Sequence, residues 1–207
     1  MSKNRSGLFV VIEGIDGSGK TTISKRIVEK FTDMGYRAFY TYEPYASPFT
    51  EVLKRYIEVY GEAEVEVETL LMALDRFFHV RKVIEPLLDQ GYIVVCDRYV
   101  YSSIAYQGAK EGDVAWIRSV NRYAVKPDVA IYLRVPLEVA IGRLKYKQSS
   151  WSYFEKLDRI RRALEIYEML ASLGELIAVD ATKDVDSVTK ECIKLITKRI
   201  SKDGNLG

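Results

Sequence analysis

Gly14-Ile15-Asp16-Gly17-Ser18-Gly19-Lys20-Thr21 follows the pattern G-x-x-x-x-G-K-[ST], directly after an apolar run, Leu8–Ile12, that ends at Glu13. Glycines at this spacing let consecutive backbone N–H groups turn inward around phosphate oxygens. The helix that opens there adds a partial positive charge, and Lys20 adds a full one. Thr21 offers a hydroxyl of the kind Mg2+ takes, and Thr22 extends the cradle. This chemistry is the binding of a nucleoside triphosphate, and by itself it does not separate a kinase from a GTPase or an ATPase. A guanine-reading [NT]-K-x-D element would follow a later strand. The nearest segments, Val125-Lys126-Pro127-Asp128 and Thr182-Lys183-Asp184-Val185, both fail that pattern.

A second run, Cys96 to Gly108, carries the other chemistry. Asp97 ends an apolar stretch, where an unpaired buried carboxylate is costly, so a cation is expected to meet it. Arg98 brings a guanidinium fork suited to a phosphate, and Gln107 an amide that can both donate and accept at the edge of a pyrimidine. Tyr106 places a ring beside it and Ser102 a small hydroxyl.

The elements that must position these groups are legible as alternation. Short β-branched and aromatic runs at Leu8–Glu13, Arg37–Tyr42, Tyr92–Asp97, Val129–Val135 and Leu176–Asp180 predict five strands. Helical patterns run roughly over 20–34, 64–90, 136–146, 152–173 and 185–201. Gly35, Gly91 and Gly174 stand where C-terminal glycines belong, and Pro136 stands where a helix opens. The order predicts an α/β, three-layer P-loop NTPase fold with a five-stranded parallel sheet flanked by helices. Ligands of such a sheet gather at the carboxyl ends of its strands, where Asp16, Glu43-Pro44 and Asp97-Arg98 stand.

The 207 residues are 48% hydrophobic and 29% charged, a composition that can bury a core and suits one domain, 1–207. A net charge of +2 gives no global field toward nucleic acid or membrane, so an anion site must be local. Met1–Gly7 is too short for a secretory signal. Cys96 and Cys192 fit neither a disulfide framework nor a zinc spacing, and a cytoplasmic setting is expected.

The two runs together resemble the thymidylate kinase family. Phe9–Thr22 matches its phosphate loop, and Asp97–Gly108 carries every fixed letter of its D-R-Y-x-x-S-x-x-A-Y-Q-G motif. Ala73-Leu74-Asp75-Arg76, His79 and Ile84-Glu85-Pro86-Leu87-Leu88 match a third element, and the likeness runs from Phe9 to about Ala181. The resemblance implies phosphoryl transfer from ATP to dTMP, giving dTDP in dTTP biosynthesis, with Mg2+ and no nucleic acid or membrane partner. It also implies a homodimer packed through helices, for which Val65–Leu88 could supply the face. It assigns Gly14–Thr22 to ATP and Asp16 to the sugar 3′-hydroxyl. Arg76 and Arg98 fall to the acceptor phosphate, Glu43-Pro44 to the nucleotide, and Asp97 with Thr21 to metal and charge organisation. Asp180-Ala181-Thr182 resembles the turn beneath the adenine. The alternatives are a broader pyrimidine monophosphate kinase, a deoxynucleoside kinase or a weakly active nucleotide-binding relative.

This chain alters two features of the family. Tyr42 stands where bacterial members carry an arginine before Glu-Pro. Met72 stands where many carry the aromatic ring that stacks on thymine, which predicts looser selection among pyrimidines. Gly17 stands where some carry a loop arginine, so a lid, approximately 143–155, must supply that charge. Arg143 is the first choice as a catalytic cation, followed by Lys147; Lys145, Lys156, Arg159, Arg161 and Arg162 are the others. His79, one turn beyond Arg76, is expected to be a helix-partner residue.

Overall fold

A computed structural model describes the backbone of residues 6–144 and 151–203. Five strands, β1 (Leu8–Glu13), β2 (Ala38–Tyr42), β3 (Ile93–Asp97), β4 (Val129–Arg134) and β5 (Ile177–Asp180), form one parallel sheet in the order β2-β3-β1-β4-β5. The five strands expected from the sequence are these five: β1 has the expected bounds and each of the others is one residue shorter. β1, β3 and all but the last residue of β4 are buried, as their unbroken apolar runs require, whereas the edge strands β2 and β5 are partly exposed.

Helix α1 (Lys20–Asp33) opens on Gly19, whose φ of 94° is left-handed, and turns Ile23, Ile27 and Phe31 toward the sheet. It packs with α9 (Val185–Asp203). The second layer holds α3 (Val65–His79), α5 (Val100–Ala109), α6 (Val114–Val120) and α8 (Trp151–Ser172), with α5 against α8, α6 and α3. Helix α7 (Leu137–Arg143) follows β4, as Pro136 foretold.

The structure corrects the helix count. A helix α2 (Pro48–Tyr60) fills the space between β2 and α3, started by the Ser47 hydroxyl accepting the Phe49 N–H (3.2 Å) and by Pro48. The stretch foreseen as one helix from 64 to 90 is broken by a π-helical turn over Val80–Ile84 before α4 (Glu85–Asp89). Pro86 explains the break. It has no N–H for the carbonyl one turn back and its ring crowds that turn, so the preceding turn widens until the Glu85 N–H reaches the Val80 carbonyl.

Candidate active site

The exits of β1 and β3 are adjacent, because Ile12 pairs with Asp97 in the sheet register. That neighbourhood brings the two sequence motifs together. The Thr21 hydroxyl donates to Asp97 Oδ2 at 2.5 Å, while Oδ1 of the same carboxylate is buried with no hydrogen-bond partner among the described residues. Lys20 Nζ donates to the Ile15 carbonyl (2.9 Å), closing the loop over itself. Burial lowers the Lys20 ammonium to about 7, helped by the nearby Arg98 charge and opposed by Asp97, Asp16 and Glu13. A phosphate chain in this position would restore its full charge.

Asp16, Gly17, Gly19, Lys20, Thr21, Thr22, Asp97, Arg98 and Arg143 line an open cavity of about 440 Å³. Of the remaining loop residues, Gly14, Ile15 and Ser18 stand behind its wall. Gly14 has a φ of 142°, and a Cβ there would press on the Ser18 hydroxyl and the Leu133 carbonyl. Arg143 donates to the carbonyls of Gly17 (3.5 Å) and Ala181 (3.0 Å), which puts its guanidinium between the phosphate loop and the turn after β5.

The other lid candidates divide. Lys145 and Lys147 lie outside the described residues, as does the Lys156 side chain. Arg159 pairs with Glu62, Arg161 with Asp158, and Arg162 with Glu111 and Asp158, none of them at the phosphate cavity. Glu62 and Glu111 tie α8 to the α2–α3 connection and to the turn after α5, while Asp158 lies on α8 itself.

A second cavity, of about 220 Å³, lies beside the first and shares Asp16 and Arg98 with it. Its other walls include Glu43, Pro44, Met72, Arg76, Ser102, Tyr106 and Gln107, all foreseen as acceptor contacts, together with Glu68, Asp75, Tyr99 and Ser103, which were not. Arg98 occupies a left-handed conformation (φ 69°), unusual for a side chain this large, and its backbone N–H is held by the Ile12 carbonyl (3.0 Å). Its guanidinium pairs with Asp16, donates to Ser102 Oγ (3.2 Å) and lies over the Tyr106 ring (5.1 Å). The Tyr106 hydroxyl accepts the Asp16 backbone N–H (2.9 Å), tying α5 to the phosphate loop.

Arg76 is 3% exposed, not on a solvated face. Nε donates to Glu43 (2.8 Å), and the two terminal nitrogens donate to Asn121 (2.5 Å) and Ser103 (3.0 Å). His79 continues the network through Glu43 (3.2 Å) and Thr41 (2.7 Å), stacked on Tyr45 at 4.4 Å. Its partners are thus on β2 and the turn after it, not on its own helix. Glu43, His79 and Cys96 lie within 4.8 Å of one another, but the Arg76 guanidinium already pairs with Glu43 and both ring nitrogens are engaged, so they form a hydrogen-bonded core and not a cation site. Asp75 accepts the Tyr45 N–H (2.7 Å) and so steadies the Glu43-Pro44 turn from α3.

The sequence marks Glu13 only as the end of a strand. It is fully buried and accepts from the Tyr99 N–H (2.8 Å), the Ser102 hydroxyl (2.6 Å) and the Tyr167 hydroxyl (2.9 Å), which locks the start of α5 to β1 and α8. The Ser102 hydroxyl hydrogen is committed to this carboxylate, leaving that oxygen to accept from Arg98. An acidic residue closing an apolar strand was the available signal for Glu13. None marked Ser103 or Asn121, whose roles come from distant helices meeting.

A parallel sheet with a phosphate loop at one strand exit, an aspartate at the next and an arginine-lined second cavity alongside defines a P-loop phosphotransferase. The family model described as thymidylate kinase matches residues 12–192. A probable thymidylate kinase of Staphylothermus marinus is 40% identical over 97% of this chain and 99% of its own length. One of Methanocaldococcus jannaschii is 42% identical over 90% and 94%, and one of Thermococcus kodakarensis 38% over 91% and 97%. The chain belongs to the thymidylate kinase family.

Proposed function

We propose that this protein transfers the γ-phosphoryl group of ATP to the 5′-phosphate of dTMP, giving dTDP and ADP. The observation that supports this most is that a phosphate-loop cavity and an arginine- and amide-lined cavity meet at a single ion pair, Arg98 with Asp16. In this reading an oxygen of the acceptor phosphate attacks the γ-phosphorus as the bond to the bridging oxygen of ADP breaks. The nucleophile is already anionic, so the residues position and screen charge instead of removing a proton. Lys20 and the loop N–H groups hold the donor phosphates, Arg76 and Arg98 the acceptor phosphate, and Asp16 the sugar hydroxyl.

An all-oxygen donor set, the Thr21 hydroxyl bonded to Asp97 Oδ2 and a buried Asp97 Oδ1 with no partner among the described residues, fits Mg2+. Thr21 and Asp97 would hold the ion, which supplies charge neutralisation between the donor phosphates when bound. Arg143, at the end of α7, is the catalytic cation that stands in for a loop arginine; of the lid expected at about 143–155, residues 145–150 lie outside the described residues and 151–155 belong to α8. Met72 at the acceptor wall supports a second reading, a broader pyrimidine monophosphate kinase.

Protein incubated with ATP, Mg2+ and dTMP is expected to form dTDP, with Lys20→Ala and Asp97→Asn each removing most of the turnover. Arg143→Ala should lower kcat far more than it raises KM for ATP. Absence of turnover with every nucleoside monophosphate would defeat the proposal. We also place the enzyme in the cytoplasm, consistent with Cys96 and Cys192 being free and buried, and propose a homodimer through α3. Among the described residues no helix is long and apolar enough to cross a membrane.

A further inference from the structure

We propose that Glu68 is a positioning residue that fixes which way the Gln107 amide points, so that the acceptor pocket selects a pyrimidine bearing hydrogen on N3 over one bearing a lone pair there. This rests on the acceptor reading above and goes beyond it.

Gln107 Nε2 donates to Glu68 Oε1 at 2.7 Å. A carboxylate can only accept, so the end of the amide that faces Glu68 must be the NH2 and the other end must be the carbonyl. Glu68 cannot easily turn away. Its second oxygen receives Lys110 Nζ at 2.5 Å, and Lys110 also pairs with Glu62 at 2.9 Å. Glu62 in turn takes the Arg159 guanidinium on α8, and hydrogen bonds from Arg159 and Lys110 hold its carboxyl down to about 2, keeping the chain of charges intact. A line of alternating charge therefore runs from α8 to the amide.

The consequence is at the other end of Gln107. Its Oε1 is buried and accepts no hydrogen bond among the described residues, and Gln107 lines the same cavity as Glu68, Met72, Arg76 and Arg98. A buried carbonyl without a partner is met by a ligand N–H. Thymine and uracil carry that hydrogen on N3, while cytosine presents a lone pair, which would oppose the carbonyl. A free glutamine would relieve the clash by flipping its amide. Here the flip would turn the carbonyl oxygen onto the Glu68 carboxylate, and is thereby blocked.

The test compares dTMP, dUMP and dCMP in the wild type and in Glu68→Gln, whose own amide tolerates either orientation of Gln107. The ratio of kcat/KM for dTMP over dCMP should fall roughly ten-fold or more in the variant, while the ratio of dTMP over dUMP stays as it was, because those two bases share the N3 hydrogen. Lys110→Met, which unpins Glu68, should lower the first ratio in the same direction by less. An unchanged dTMP-to-dCMP ratio in Glu68→Gln, or both ratios falling together, overturns the inference, as does a wild type that never discriminates against dCMP. If Glu68→Gln loses turnover, the dissociation constants for dTMP and dCMP measured by calorimetry decide on the same terms. A wild type inactive with every nucleoside monophosphate defeats the proposed function instead, whereas an active one whose discrimination survives Glu68→Gln defeats only this step.

Discussion

Arg76 shows how a residue can be legible by type and not by setting. Its spacing within Ala73-Leu74-Asp75-Arg76 marked it for a phosphate, yet that spacing also suits an exposed helix arginine. Only the fold buries it and presents Glu43, Asn121 and Ser103 to its donors. Because Glu43 is buried beside it, Arg76→Met strands a carboxylate and should cost about 3–5 kcal/mol in urea unfolding. Adding Glu43→Gln should recover a substantial part of that loss; strictly additive effects would show that the pair is not coupled. Glu13 makes a separate case. Burial raises its carboxyl above the ordinary carboxylate range despite its hydrogen bonds. A raised folded-state pKa contributes stability that is complete below the unfolded value and is lost as pH rises through the folded one. The stability advantage of wild type over Glu13→Gln should therefore shrink as pH rises above the ordinary carboxylate range, read in urea midpoints, and a pH-independent difference would refute the shift.

At the scale of elements, the phosphate loop and α7 are built against each other. A Cβ on Gly17 would run into the Ala140 backbone carbonyl, whereas one on Gly19 meets nothing within 4 Å; both have positive φ, 83° and 94°. Gly17 is therefore not merely an omitted arginine. It is the close approach that lets α7 bring Arg143 to the loop. Gly19→Ala should cost about 1–2 kcal/mol from its left-handed backbone alone. Gly17→Ala should cost clearly more and also lower kcat, since α7 must shift, and equal denaturation midpoints would remove α7 packing as the cause. The strands and the helices α1, α7, α8 and α9 were legible because their apolar periods are long and their breakers sharp. Helix α2 was missed although Ser47-Pro48 is a helix-start signal. Helix α5 sits almost wholly within the run Cys96–Gly108, where the sequence speaks for chemistry, whereas α6 lies beyond that run and is announced only by its cap, Asp113 accepting the Ala115 N–H (2.8 Å).

At the scale of the molecule, the outer face of α3 is left apolar. Leu70 and Leu74, one turn apart, are 48% and 45% exposed, and Tyr123 lies beyond them near Phe77 (6.5 Å). A face of this kind on the helix that carries Glu68 and Arg76 is the one proposed to pack in a homodimer. Leu70→Glu with Leu74→Glu should convert a dimeric wild type to monomer in light scattering, and an unaltered mass would send the interface elsewhere. The near-neutral charge, read at first only as requiring a local anion site, corresponds to Lys20, Arg76, Arg98 and Arg143 gathered around two adjoining cavities.

The sequence by itself determined the phosphate loop, the alternation of strand and helix and the family, because a phosphate is cradled by consecutive backbone N–H groups and a buried parallel strand writes its burial into one short run. The acceptor pocket was decided by the tertiary structure. Asp16, Glu43, Glu68, Arg76, Arg98 and Gln107 come from separate loops and helices, and which donor meets which acceptor among them depends on the packing of α3 and α5 beside the exits of β1, β2 and β3. Residue type supplied each group's chemistry, and only packing, by burying some partners and leaving the Gln107 oxygen without one among the described residues, set its orientation.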